Sequence, residues 1–284
     1  MNKLLSLTIK TRLIIIGALV VLGLAALAGL LTYSVSTVAG LEHTGNLVSK
    51  VESKMLLLRR REKDFLARKD LKYQKKFNKD YASMMVHIDE LDTEVKRFGF
   101  NEQHVVDLRR AMGDYKSVFT EVINIQKQIG LNPKDGLYGS LRKAVHGAEK
   151  EIKSVKNYEL LTHMLMLRRN EKDFMLRDNL KYIGKFEKNY AKLFKSLGKA
   201  RLSAGKKSAI RRAMVQYKKD FFTLRDASVE KGLTSKAGLH GKMRSAVHRT
   251  EDVFKKLIAD IEQQKASSTN RINVVVAVLV AVIS

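Results

Sequence analysis

The sequence predicts an all-α protein: two stacked four-helix-bundle modules that share two long helices, flanked by transmembrane helices. Three observations lead there. The 284 residues include one Pro, no Cys and no Trp and are 45% hydrophobic, a helical composition long enough to bury a sizeable core. Residues 13–31 run for 19 positions without a charge, the length of a membrane-spanning helix. Beyond that run, most of the chain is written twice.

The N-terminal run fixes the topology that is expected. Lys3, Lys10 and Arg12 precede it and the next positive charge is Lys50, so residues 1–12 should stay in the cytoplasm and 13–33 should cross the membrane. Ala26-Leu-Ala28 resembles a signal-peptidase site, but the apolar run is longer than a usual signal-peptide core, so it reads as an uncleaved anchor. At the other end, Arg271 is followed by an apolar run over 272–283. Twelve residues are too few to span, so 272–284 reads as the start of a second transmembrane helix continuing beyond residue 284. Residues 34–271 then lie outside the cytoplasm. A formal charge of +25 is therefore not read as a nucleic-acid footprint. The lack of Cys excludes disulfides and thiol catalysis.

The repeated stretch is Met55-Leu-Leu-Leu-Arg-Arg-Arg-Glu-Lys-Asp-Phe65, which returns as Met164-Leu-Met-Leu-Arg-Arg-Asn-Glu-Lys-Asp-Phe174. Over 55–82 and 164–191, at a constant offset of 109, 18 of 28 positions are identical. With no Gly or Pro in either motif, both read as helical. Helical spacing aligns Val48, Met55, Arg59, Glu62 and Leu66 in one row, beside Val51, Leu58 and Phe65. Arg168 and Glu171 take the same places in the second copy. An arginine and a glutamate thus sit in an apolar stripe, where burial is costly unless they are paired or meet an opposite charge. One reading is an intrahelical Arg–Glu pair that sets bundle register. The other is that Arg59 and Arg168 reach a cavity between helices and hold an anion. Tyr73, Phe77, Tyr81 and their copies read as core.

In chain order, the first helix runs to Ala67, with Asp70 capping a second over 71–97. Gly99 ends the second, and Asn101 caps a long third helix over about 101–155. Its Leu108-Arg-Arg-Ala-Met-x-x-Tyr115-Lys-x-x-Phe119 returns from Ile210, now 102 residues on. The same offset relates Gly130-Leu-x-x-Lys-x-Gly136-Leu-x-Gly139 to Gly232–Gly241, and Arg142-x-Ala-Val-His146-x-x-Glu149 to Arg244–Glu251. The second copy therefore lacks seven residues, placed in the turn before its third helix. A turn near Asn157 starts further helices over 158–176 and 180–197, and a last one over about 204–272 returns to the membrane. The glycines at 136, 139, 238 and 241 would let the backbone approach a ligand closely or else mark a hinge or kink in the long helices, and Pro133 fits a kink there.

This layout puts a lower module at 34–129 plus 233–271 and an upper module at 130–232. Arg59 lies 25 residues above residue 34, and 25 residues before residue 272 is Val247. Arg244 and His248 therefore stand at the height of Arg59. In the upper module Arg168 and Arg142 are level, each roughly 12–14 Å from the module junction at helical rise. Each Arg–Glu motif thus meets the Arg-x-Ala-Val-His segment of the other copy, which favours the ligand reading. The lower candidates are Arg59, Glu62, Lys236, His240, Arg244 and His248. The upper ones are Arg168, Glu171, Lys134, Tyr138, Arg142 and His146. Guanidinium forks suit carboxylates. The His146/Glu149 and His248/Glu251 pairs reverse the order of the helical Glu-x-x-His metal motif, so no metal or other cofactor is assigned. No nucleophile held by a base is present in the pattern, so no enzymatic activity is read.

Two membrane runs around a duplicated helical region resemble the helical bimodular sensor domain, found in bacterial methyl-accepting chemotaxis proteins and some sensor histidine kinases. The carriers are Leu58-Arg-Arg-Arg-Glu-Lys-Asp-Phe65, Leu167-Arg-Arg-Asn-Glu-Lys-Asp-Phe174 and the two Gly-Leu-x-Gly-x-(Leu/Met)-Arg-x-Ala-Val-His segments. The resemblance covers 34–271. It implies a periplasmic sensor in the inner membrane, a homodimer binding small organic anions such as carboxylates and acting on cytoplasmic signalling proteins through a region after residue 284. It implies ligand-holding roles for Arg59 and Arg168 and ligand contacts for Lys236 and His240, while Glu62 occupies a place where a second cation can sit. Two alternatives stand beside a chemoreceptor: a sensor histidine kinase or cyclase with the same outer domain, and a basic structural protein that binds anionic surfaces.

Overall fold

Every regular element described by the computed structural model, which covers residues 8–283 (side chains to 277), is an α-helix. There are eight among the described residues: α1 (Ile9–Arg68), α2 (Lys72–Phe98), α3 (Glu102–Ile129), α4 (Gly136–Ser154), α5 (Tyr158–Arg177), α6 (Lys181–Lys199), α7 (Ala204–Lys231) and α8 (Gly238–Ile283). Of the positions used to read the topology, Lys3 and Ser284 fall outside the described residues.

The turns show why the helices stop where they do. After α1, Lys69 takes a left-handed conformation and its N–H returns to the Phe65 carbonyl at 2.7 Å, while Asp70 accepts from the N–H of Lys72 at 2.8 Å. After α5 the same turn is built from Asp178 and Asn179, with matching bonds to Phe174 and from Lys181. Gly99, also left-handed, ends α2 and lets Phe100 N–H bond the Val95 carbonyl; Asn101 then accepts from Gln103 N–H. Asn157 caps α5 through the N–H of Leu160.

Two expectations are corrected. The long helix over 101–155 is two helices, α3 and α4, and that over 204–272 is α7 and α8; a six-residue loop interrupts each. Pro133 is not the cause, because the second loop has Ser235 in its place. The shared cause is glycine. Gly130, Gly136, Gly232 and Gly238 all have positive φ, and a Cβ at Gly136 or Gly238 would collide with the carbonyl oxygen of Gln128 or Glu230. The seven-residue difference also falls elsewhere than expected. α6 has 19 residues where α2 has 27, and the turn that follows has four residues where the other has three, so the shortening is within the helix.

The chain gathers into two compact units: Met1–Leu56 with Tyr81–Arg109 and Glu251–Ser284, and Leu57–Asp80 with Arg110–Thr250. In the first, Leu41, Leu47, Val48 and Val51 of α1 and Met84, Ile88, Leu91 and Val95 of α2 are buried at helical spacing, as are Leu257 and Ile261 of α8. In the second, α4 packs on α7, α5 on α6, α4 on α5 and α6 on α7, closing a ring of four helices. The duplication reappears there as two copies of one aromatic cluster. Phe77 meets Phe119 at 4.3 Å and Tyr115 at 5.5 Å, and Phe65 meets Phe119 at 5.8 Å. Phe186, Phe221, Tyr217 and Phe174 repeat these contacts at 4.6, 5.4 and 5.7 Å. All eight rings are buried, as are Tyr73 and Tyr182, whereas Tyr81 and Tyr190 are half-buried.

Substitution of the loop glycines tests their role directly. Gly136→Ala and Gly238→Ala should each destabilise by about 1–3 kcal/mol through left-handed strain and the backbone collision. Gly113→Ala, in the interior of α3 with open space around its Cβ, should stabilise by about 0.5–1 kcal/mol. Urea unfolding of the three variants distinguishes these signs.

Candidate ligand-binding site

Two cavities lie in the second unit, one on each copy of the motif. The lower holds about 230 Å³. α1 contributes Arg59, Glu62, Lys63 and Leu66, while the loop before α8 and its first turns contribute Ser235, His240, Met243, Arg244, Val247 and His248. The upper holds about 280 Å³, between Arg168, Glu171, Lys172 and Met175 of α5, Tyr138, Leu141 and Arg142 of α4, the loop residues Leu131, Asn132 and Pro133, and Lys69. In both, therefore, a motif from one copy faces a segment from the other. Lysine and arginine outnumber carboxylates three to one in the lower lining and four to one in the upper. Such walls have the sign that attracts an anion, and cavities of this size suit a small organic molecule.

The carboxylates are the most buried charges. Glu62 is 3% exposed and Glu171 1%. Each accepts a hydrogen bond from a buried tyrosine hydroxyl at 2.7 Å, Glu62 from Tyr115 and Glu171 from Tyr217. Burial, and then the adjacent carboxylate, push both phenols well above their ordinary range, so each remains a donor. Lys63 Nζ stands 2.9 Å from Glu62 and Lys172 Nζ 3.4 Å from Glu171. Arg168 Nη1 reaches both oxygens of Glu171 at 3.1 and 3.2 Å, and its Nε lies 3.3 Å from Glu149. The intrahelical Arg–Glu pair is thus formed in the upper site without closing the cavity: both residues still line it.

His240 sits at the lower wall, its Nε2 enclosed without a hydrogen-bond partner. Burial and then the Lys231 ammonium hold its pKa below the ordinary 6.5; Lys63 acts in the same direction, opposed by Glu62 and by a backbone hydrogen bond with Gly232. Its counterpart Tyr138 packs under the Lys69 ammonium, 5.2 Å from the ring centre, and burial raises the phenol pKa.

Nine of the twelve residues expected from the sequence line the two cavities, and three do not. Lys236 lines a separate shallow groove with Lys242, Asp114 and Arg249, because the loop turns after Ser235 and presents Ser235 instead. Lys134 is exposed in its loop, where Asn132 and Pro133 take the wall. His146 is exposed and turned toward Glu149, with Nδ1 3.7 Å from Oε2, so it leaves the wall that its copy His248 helps to form. Missed by the sequence reading were Lys63, Lys69 and Lys172, and the tyrosines behind the carboxylates. The duplicated Arg-Arg-Ala-Met-x-x-Tyr spacing was the signal available for Tyr115 and Tyr217.

Compared with protein-family models, curated proteins and solved structures, the chain matches none.

Removing one tyrosine hydroxyl leaves a buried carboxylate short of a donor, so Tyr115→Phe and Tyr217→Phe should each destabilise by about 1–3 kcal/mol in urea unfolding. Tyr190→Phe, whose half-buried hydroxyl serves no carboxylate in this way, is the control and should change little.

Proposed function

We propose that this chain is the ligand-binding region of a membrane-anchored chemoreceptor of the methyl-accepting type, sensing small organic anions such as carboxylates. One observation supports this reading above others: the duplicated motif lies on two cavities of similar size, each with a net cationic wall assembled from both copies. Repetition of a charged cavity is unexplained by packing alone, since burying charge is costly. The binding chemistry is carboxylate capture by Arg59 and Arg244 below and by Arg142 and Arg168 above. Lys63, Lys69 and Lys172 add long-range attraction.

α1 is the one described helix apolar enough to cross a membrane: its best 18-residue window has a mean hydropathy of 2.8 and none of it is buried. A signal sequence near the N-terminus has the same character. We read it as an anchor, with residues 34–271 in the periplasm and the segment after Arg271 as a second span. The lower cavity joins α1 to α8, the helices that carry these runs. An anion bound there draws the two helices together, and a signal arises only if it binds one packing of them more tightly than another. A shift of about an ångström along α8 is within the range by which packed helices move between two arrangements. A histidine kinase or cyclase with the same outer region would capture the anion identically and differ in the output domain beyond residue 284.

Thermal unfolding of the whole chain in detergent, screened against short mono- and dicarboxylic acids, tests the reading. A subset of acids should raise Tm, and the shift should shrink in Arg59→Ala or Arg168→Ala according to the cavity used. Because an anion in the lower cavity favours protonated His240, binding there should take up a proton and tighten as the pH falls toward the depressed pKa of His240, an effect reduced in His240→Gln. Equal response to every acid, abolished by salt, would instead indicate a basic surface that binds anions without a pocket.

A further inference from the structure

A third cavity, in the first unit, has a different chemistry. It holds about 830 Å³ where α1, the end of α2 and α8 come together, and no carboxylate lines it. Arg97 and Arg271 provide its charge. Arg97 is held by the ring of Phe98 at 5.2 Å and by a single long contact with Glu94 at 3.4 Å, which leaves most of its donors for another acceptor. Its side chain is 59% exposed.

The lining is graded along the helices. On α1 it passes from Leu30 to Thr37, and on α8 from Val275 back to Gln264. The apolar wall of each helix is therefore the part that adjoins its apolar run, and hydroxyl and amide side chains form the rest. Leu30 and Val274 of this wall are exposed, as is the neighbouring Leu31. An organic acid of the size that fits the other cavities would leave most of this volume unfilled. A ligand with an anionic head, polar groups around it and aliphatic chains at one end matches every part of the wall.

We propose that this groove is a binding site for an anionic glycerophospholipid, its phosphate facing Arg97 and Arg271 and the upper part of its acyl chains against Leu30, Ile272 and Val275. The site rests on the reading of residues 13–33 as a membrane span, and it is independent of whether either motif cavity binds an acid. A lipid held there bridges α1 and α8 at the membrane surface, so membrane composition would set the resting position of the same helices that the lower cavity joins.

The experiment is native mass spectrometry of the whole chain released from nanodiscs containing equal phosphatidylglycerol and phosphatidylcholine. Phosphatidylglycerol should be retained selectively. Its retention should fall roughly fivefold for each of Arg97→Ala and Arg271→Ala, the weight of one cation near an anionic headgroup, and should persist in Arg97→Lys. Equal retention of the two lipids, unchanged retention in the double alanine variant, displacement of the lipid by inorganic phosphate, or a second copy of the chain occupying the groove would each overturn the proposal. Alkaline extraction of the chain from membranes is run alongside. Release into the soluble fraction would overturn the span, and the lipid site with it, whereas an alkali-resistant chain without lipid preference overturns the lipid site alone.

Discussion

The second unit depends on two carboxyl side chains held in its interior. Glu62 and Glu171 are almost fully enclosed, and each is kept there by a tyrosine hydroxyl and by cations at the cavity wall. Each hydroxyl satisfies a buried acceptor that would otherwise go unpaired at a cost of about 1–3 kcal/mol. The tyrosines come from α3 and α7 and the carboxylates from α1 and α5. Each hydrogen bond therefore fixes how a motif helix is rotated against its neighbour. That rotation presents the motif arginine to the cavity instead of to bulk water. Carboxylate, phenol and guanidinium are in this sense one device, built twice.

Packing around the device is also duplicated. Each Tyr–Glu bond stands beside three phenylalanines, and equivalent rings meet within a few tenths of an ångström of the same separations. Two of the four rings in each cluster follow the 109-residue offset and two the 102-residue offset. The cluster therefore spans the position where α6 is shorter than α2. A shortening of about two turns leaves the contact intact because it removes the far end of the helix, beyond the last ring that contributes.

Much of this was legible in the residues. The turns announced themselves through Gly99, through Asp70 and Asn101 as caps and near Asn157, and the paired offsets identified which segments share a cavity. Two features were not. Asn132-Pro-Lys-Asp-Gly136 and Thr234-Ser-Lys-Ala-Gly238 interrupt the apolar pattern, yet the amphipathic stretches on either side of each made the loops read as kinks. The positive φ of the loop glycines and the lack of room for a Cβ at Gly136 and Gly238 show that the backbone turns. For the side chains at the cavity edge, spacing gives a face but not a rotamer. His146 and His248 occupy equivalent positions, yet His146 turns toward Glu149, which also holds Arg168. Lys63 and Lys172 were hidden for the opposite reason: a flexible stem lets an ammonium reach a wall to which its Cα does not point.

The cavities are the core of the account, and locating a heavy-atom anion in them tests it most directly. 5-Bromo-2-furoate has the charge of the proposed ligands and a ring-bound bromine that does not alkylate the cavity's His240, Met243 and His248, so its bromine can be placed by anomalous scattering in crystals of the chain. The account predicts a peak between Arg59 and Arg244, or between Arg168 and Arg142. Peaks confined to the outer surface, with those guanidiniums turned away from each other, would contradict it.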